Sequence, residues 1–190
     1  MRIGVAHHYG WAVVVTADAR HNVVDRRRIE LIEPGLPSAP IHHTGGAHTF
    51  HGSAEPPSDE ELASLVAAVR ASAVRTTSRE LDELAVSLAE PIVSMSLREW
   101  PADFPEDIAV QRRVPYESQA DSVMYRQVLA ELARGHGWMV HHYNANDVID
   151  EATRILGERA DEVINGPRAI YGPPWSKDHR MALASTIAVI

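Results

Sequence analysis

Apolar and polar positions along this chain follow two rhythms, one of period two and one near 3.6, and their order predicts the architecture. Arg2 to Ala6 reads as a short buried strand and Trp11 to Ala17 as a β-branched one, joined through His7-His8-Tyr9-Gly10. A turn at Asp18 to Asn22 leads into a third strand, Val23 to Ile32, which completes an antiparallel meander. Residues Glu33 to Pro57 carry Pro34, Gly35, Pro37, Pro40, Gly45, Gly46, Gly52, Pro56 and Pro57, so a long irregular loop is expected there. Ser58 and Glu61 form a capping-box pattern, followed by Leu62, Leu65, Val66 and Val69 on one helical face. Thr76-Thr77-Ser78 predicts a break in that helix before Leu81, Leu84 and Leu88 resume the period.

Pro91 to Leu97 reads as a fourth strand, and Trp100 to Pro115 as irregular, with an extended piece at Ile108 to Val114. Ser118 is placed to cap a helix presenting Val123, Val128, Leu129 and Leu132, which Gly135 and Gly137 end. Trp138 to Tyr143 is the fifth strand. Asn146 then caps a helix to Leu156, and Ser176 caps a last one running to Ile190.

The order β-β-β-α-β-α-β-α predicts a single α/β domain over residues 1–190, with a mixed five-stranded sheet and helices on both faces. Right-handed crossovers make strands one, three, four and five run the same way, so the segments after them emerge at one edge together with the start of the last helix. Ligands of open α/β sheets bind outside the carboxyl ends of the strands. Of the 11 histidines, His7, His8, His42, His43, His48, His51, His141, His142 and His179 fall toward that edge, with Glu99, Asn144, Asn146 and Asp178. The pairs His7-His8 and His141-His142 are expected to end two neighbouring central strands, with at most one histidine of each pair aimed into a given crevice.

Composition narrows the chemistry. With no cysteine there is no thiolate nucleophile or cysteine-ligated zinc, so any transition metal must take His, Asp or Glu, and a reducing compartment such as the cytoplasm is compatible. Met1-Arg2 runs straight into strand-like sequence with no apolar leader, and no stretch reaches the roughly 20 apolar residues of a membrane span. A net charge of -8 disfavours a broad grip on nucleic acid, despite Arg26-Arg27-Arg28 and Arg112-Arg113. No phosphate-binding glycine loop, dinucleotide fingerprint or serine-nucleophile elbow is present.

Two strings, IGVAHHYGWAVV (Ile3 to Val14) and KDHRMALAS (Lys177 to Ser185), resemble the opening strand and last helix of the Holliday-junction-resolvase branch of the ribonuclease H-like superfamily. The resemblance implies clustered carboxylates that hold two divalent cations for phosphodiester hydrolysis. The first-strand aspartate it implies falls on Ala6, beside His7. The remaining acids fall on Glu99 and on Asp178 with His179.

The expected site therefore has His7, His142, Asp178 and His179 as divalent-metal ligands, and Glu99, Asp178 and His179 as proton carriers. His8, His42, His43, His48, His51 and His141 form a wider ligand pool. The corresponding function is metal-assisted hydrolysis of a phosphoester or similar bond. A non-catalytic binding or assembly module of the same fold, whose edge recognises a small anionic ligand or a protein, is the first alternative, and a structure-selective nuclease is the second; a homo-oligomer is compatible with each.

Overall fold

The structure, a computed structural model, describes residues 1–45 and 56–188. Five strands, β1 (Arg2–His7), β2 (Trp11–Ala17), β3 (Val23–Glu30), β4 (Ser94–Arg98) and β5 (Met139–Tyr143), form one sheet in the order β3-β2-β1-β4-β5. The meander is antiparallel, with Val5 opposite Val14 and Val14 opposite Arg27. β4 joins β1 in parallel, Gly4 beside Ser96, and β5 joins β4 in parallel, Leu97 beside His142.

Alternation along β1 sends its side chains to two cores. Ile3 and Val5 pack with Val14, Leu97, Leu81 and Leu129 under α1 (Asp59–Ser87) and α3 (Glu117–Gly135). Ala6 joins Val13, Val15, Leu183 and Ile187 under α4 (Val148–Leu156) and α7 (Lys177–Ala188). Short helices α2 (Ile108–Gln111), α5 (Ala160–Asn165) and α6 (Pro167–Tyr171) fill the connections. The α7 backbone approaches the sheet so closely that a Cβ built on Gly4 would lie 1.7 Å from the Ala182 carbonyl oxygen. Only glycine allows this contact.

Several local expectations give way to tertiary packing. α1 runs unbroken through Thr76-Thr77-Ser78, because Ser72, Ala73, Thr76 and Thr77 are small enough to lie buried within the domain. The Ser58–Glu61 capping box forms, with Glu61 N–H donating to Ser58 Oγ at 3.2 Å. Residues 108–111 are helical rather than extended, started by the Asp107 carboxylate accepting the Ala109 N–H at 2.8 Å. Ser118 lies inside α3 instead of capping it, since that helix already begins at Glu117 after Tyr116. Asn146 does not cap α4, and its N–H donates instead to Asn144 Oδ1.

The loop after β3 is partly regular. Pro40–Gly45 forms a π-helical turn whose Ile41 and His42 N–H groups donate to the Asp121 carboxylate at 3.1 and 2.8 Å. Residues 46–55, with His48 and His51, lie outside the described residues, as do the last two residues of the predicted C-terminal helix. Among the described residues, no helix is long and apolar enough to cross a membrane.

Candidate functional site

A cleft of about 760 Å³ opens at the carboxyl edge where β1, β4 and β5 end. Its wall carries His7 and His8 from the end of β1, Arg98, Glu99 and Trp100 after β4, Asn144 and Asn146 after β5, and Ser118, Ser122 and Arg126 from α3. Parallel strands with helical crossovers bring those termini to one mouth, as expected for an open α/β sheet. α3 supplies its share because Ser118, Ser122 and Arg126 recur every four residues along one face.

Arg126 dominates the electrostatics of this cleft. It is 4% exposed, and its guanidinium donates to the Ser122 carbonyl at 3.0 Å, to Ser122 Oγ at 2.7 Å and to the Glu99 carbonyl. Among the described residues no carboxylate pairs with it. Burial, and then the neighbouring charge of Arg98, pulls its pKa down to about 10, which leaves it cationic at neutral pH. A buried cation satisfied only by neutral oxygens keeps its desolvation cost without the attraction of a counter-charge.

His7 responds to the same surroundings. Burial, followed by the charge of Arg126, lowers its pKa to about 3, so the imidazole beside the guanidiniums is neutral. Glu99 is oriented by Asn144, whose Nδ2–H donates to Oε1 at 2.7 Å. The wall thus presents two guanidiniums against one carboxylate.

His8 forms the ridge beside Asp178, with Nε2 3.1 Å from Oδ2. Its ring stacks on Trp11 at 4.1 Å and 11°, and Arg28 sits 4.6 Å from the centroid of the Trp11 ring. The turn that allows this is tight: the His8 N–H donates to the Trp11 carbonyl at 2.8 Å, and Gly10 has φ of 80°.

The sequence-predicted ligands do not meet as one group. His7 lines the cleft, whereas His142 packs edge-on against Trp100 at 4.6 Å. His179 lines a separate 410 Å³ cavity with Arg26, Arg28 and Asp178. Its Nδ1 lies 2.9 Å from Ser176 Oγ and accepts the Ser176 N–H at 3.3 Å, so it completes the start of α7 much as a capping-box acid would. Burial, then Arg26, holds its pKa below the usual histidine value; burial, then Arg134, does the same for His142. Among the described residues no three His, Asp or Glu side chains are placed to share a metal ion.

Two further expectations change. β4 lies between β1 and β5, so His7-His8 and His141-His142 do not end neighbouring strands, and His141 pairs with Ser96. Both His7 and His8 reach the cleft, because β1 ends at His7 and strand alternation no longer constrains His8. His42 and His43 sit 5.1 Å apart, with Tyr9 6.2 and 5.9 Å from them, beyond the edge of the cleft. Arg112 is occupied by the Gly45 carbonyl and Asp59, and Arg26 and Arg28 share the sheet face opposite to Arg27. The residues that sequence reasoning missed are Arg98 and Arg126; the signal for Arg126 was the polar stripe Ser118, Ser122, Arg126 within an apolar helix.

No family model and no curated protein sequence matches the chain. Among solved structures it is similar to T. thermophilus RuvC in complex with Holliday junction substrate, with 11% identity, a TM-score of 0.52, and coverage of 98% of this chain and 90% of that one. The nucleic acid named there belongs to that structure. At this identity the likeness concerns architecture alone: the fold is ribonuclease H-like.

Proposed function

We propose that the carboxyl-edge cleft recognises a phosphate-bearing ligand, and that the chain acts as a ribonuclease H-like phosphate-binding domain. The observation that carries this reading is Arg126, a buried cleft-wall guanidinium with neutral hydrogen-bond partners and no carboxylate counter-charge among the described residues. Arg98 adds a second charge, and the Ser118 and Ser122 hydroxyls with Asn144 and Asn146 supply neutral groups for the ester oxygens. The volume suits a ligand of small-molecule size or a short stretch of a larger one. Guanidinium charge here occupies the edge where the family resemblance implies carboxylates and cations.

Calorimetric titration with inorganic phosphate and with a phosphodiester tests this. Arg98→Gln is expected to weaken binding roughly tenfold or more, the worth of one charge-assisted hydrogen bond, with the melting temperature unchanged because Arg98 is exposed. Equal affinity in wild type and Arg98→Gln, or no binding in either, contradicts the reading.

Metal-dependent hydrolysis is the second reading, favoured by Glu99 lining the same wall as His8, whose partner Asp178 is a further acid at this edge. It requires phosphoester turnover, including cleavage of branched DNA in the nuclease form, that begins on adding magnesium or manganese and stops with chelator.

A further inference from the structure

We propose that His8, held by Asp178, is a metal-independent general base that hydrolyses phosphodiesters in the cleft, an inference that rests on the phosphate-binding reading above. Three contacts fix the imidazole before any ligand arrives. Asp178 Oδ2 lies 3.1 Å from Nε2, Trp11 stacks on the ring at 4.1 Å, and the His8 N–H is tied to the Trp11 carbonyl at 2.8 Å. Trp11 is braced in turn by Arg28, 4.6 Å from its ring centroid.

The Asp178 contact selects the tautomer. With the Nε2–H donating to the carboxylate, the lone pair is on Nδ1, the nitrogen left to take a proton. His8 lines the same cleft as Arg98 and Arg126, so a phosphodiester held by the guanidiniums shares that cleft with a pre-oriented base. A water oxygen bonds to phosphorus while its proton passes to His8 Nδ1, and the imidazolium is stabilised by Asp178. The bond from phosphorus to the departing oxygen breaks, and that oxygen leaves with the electron pair and is protonated by bulk water. His8 returns its proton to bulk water, and a phosphomonoester and an alcohol or phenol remain. No redox partner is needed, and the two guanidiniums balance the charge gathering on the phosphoryl oxygens.

The pair has a plain structural alternative, a tether between the β1–β2 turn and the start of α7. A tether variant changes melting temperature, whereas a base variant changes turnover. The experiment follows release of 4-nitrophenolate from bis(4-nitrophenyl) phosphate by the full chain in excess chelator, alongside calorimetry with inorganic phosphate. Turnover that survives the chelator is expected. His8→Ala is expected to lower kcat about a hundredfold, with added imidazole restoring part of it, and Asp178→Asn to lower kcat at least tenfold with KM little changed. Three results overturn the proposal: release that stops with chelator, turnover that is unaltered in His8→Ala, or no release at all. If phosphate still binds in that last case, the cleft reading survives and only the base is lost; if phosphate does not bind, both fall.

Discussion

At the residue scale, the cleft shows how one buried guanidinium sets the state of its neighbours. His7 binds no proton at neutral pH because burial and Arg126 both penalise the imidazolium. Its pKa falls from 6.5 to about 3, so the unfolded chain binds the proton more readily than the folded one between those values. His7 therefore contributes stability that is present above pH 6.5 and lost as pH falls. Asp121 works in the opposite sense: burial raises its pKa to about 6 even though it accepts the Ile41 and His42 N–H groups. From about pH 4 to 6 the folded chain binds that proton more readily, so the Asp121 contribution declines as pH rises. Over this window the two offset each other. Urea denaturation at pH 5 and pH 7 is expected to show a steeper loss of stability on acidification in Asp121→Asn than in the wild type, and a shallower loss in His7→Gln. Parallel pH dependence in all three proteins would contradict both assignments.

The residue scale is also where the sequence was hardest to interpret. The structure places Glu99, His7 and His8 along the carboxyl-edge cleft and Asp178 against His8, positions that chain direction alone makes legible. Their pairings were not legible. Nothing in the string HHYG tells that Gly10 turns the chain tightly enough to lay His8 on Trp11 and against Asp178, 170 positions away. The contact of His179 with Ser176, three residues before it at the start of α7, is likewise invisible in a string that only offers an imidazole beside an acid.

Among the elements, strands and long helices were visible wherever the apolar period was strong, and boundaries failed wherever packing outweighed local propensity. The threonines of α1 are weak helix formers in isolation, yet an interior of small buried side chains holds the helix straight through them. The π-helical turn at Pro40–Gly45 has no sequence signature, since two of its N–H groups are held by Asp121, some 80 residues later. The α7–β1 contact yields a sharper element-level test. Gly4→Ala places a methyl group 1.7 Å from the Ala182 carbonyl oxygen, which nothing flexible can relieve. A destabilisation of about 2 kcal/mol or more is expected, lowering Tm by about 4–8 °C. A Tm within a degree of wild type would show that α7 does not pack as described.

On the scale of the whole molecule, the fold class followed from the order of elements and from the handedness of crossovers, both of which are properties of the backbone. The lateral order of strands was less accessible. Placing β4 between β1 and β5 separates the two histidine pairs, and the cleft wall carries Arg98 after β4 and Arg126 from α3 beside His7 and His8. Histidine count points to imidazoles at this edge, whereas the proposed phosphate site rests on two guanidiniums facing one carboxylate, and net charge is a poor guide to it because the charges lining a cleft govern the local field.

In the proposed function Arg126 and Arg98 together hold phosphate in this cleft. Side-chain ¹⁵N NMR of the arginine Nε–H groups during a titration with inorganic phosphate tests it most directly. Saturable shifts at Arg98 and Arg126, with a common dissociation constant and none at the exposed Arg79, are the expected result. Unmoved Arg98 and Arg126 signals at phosphate concentrations that shift Arg79 would contradict it.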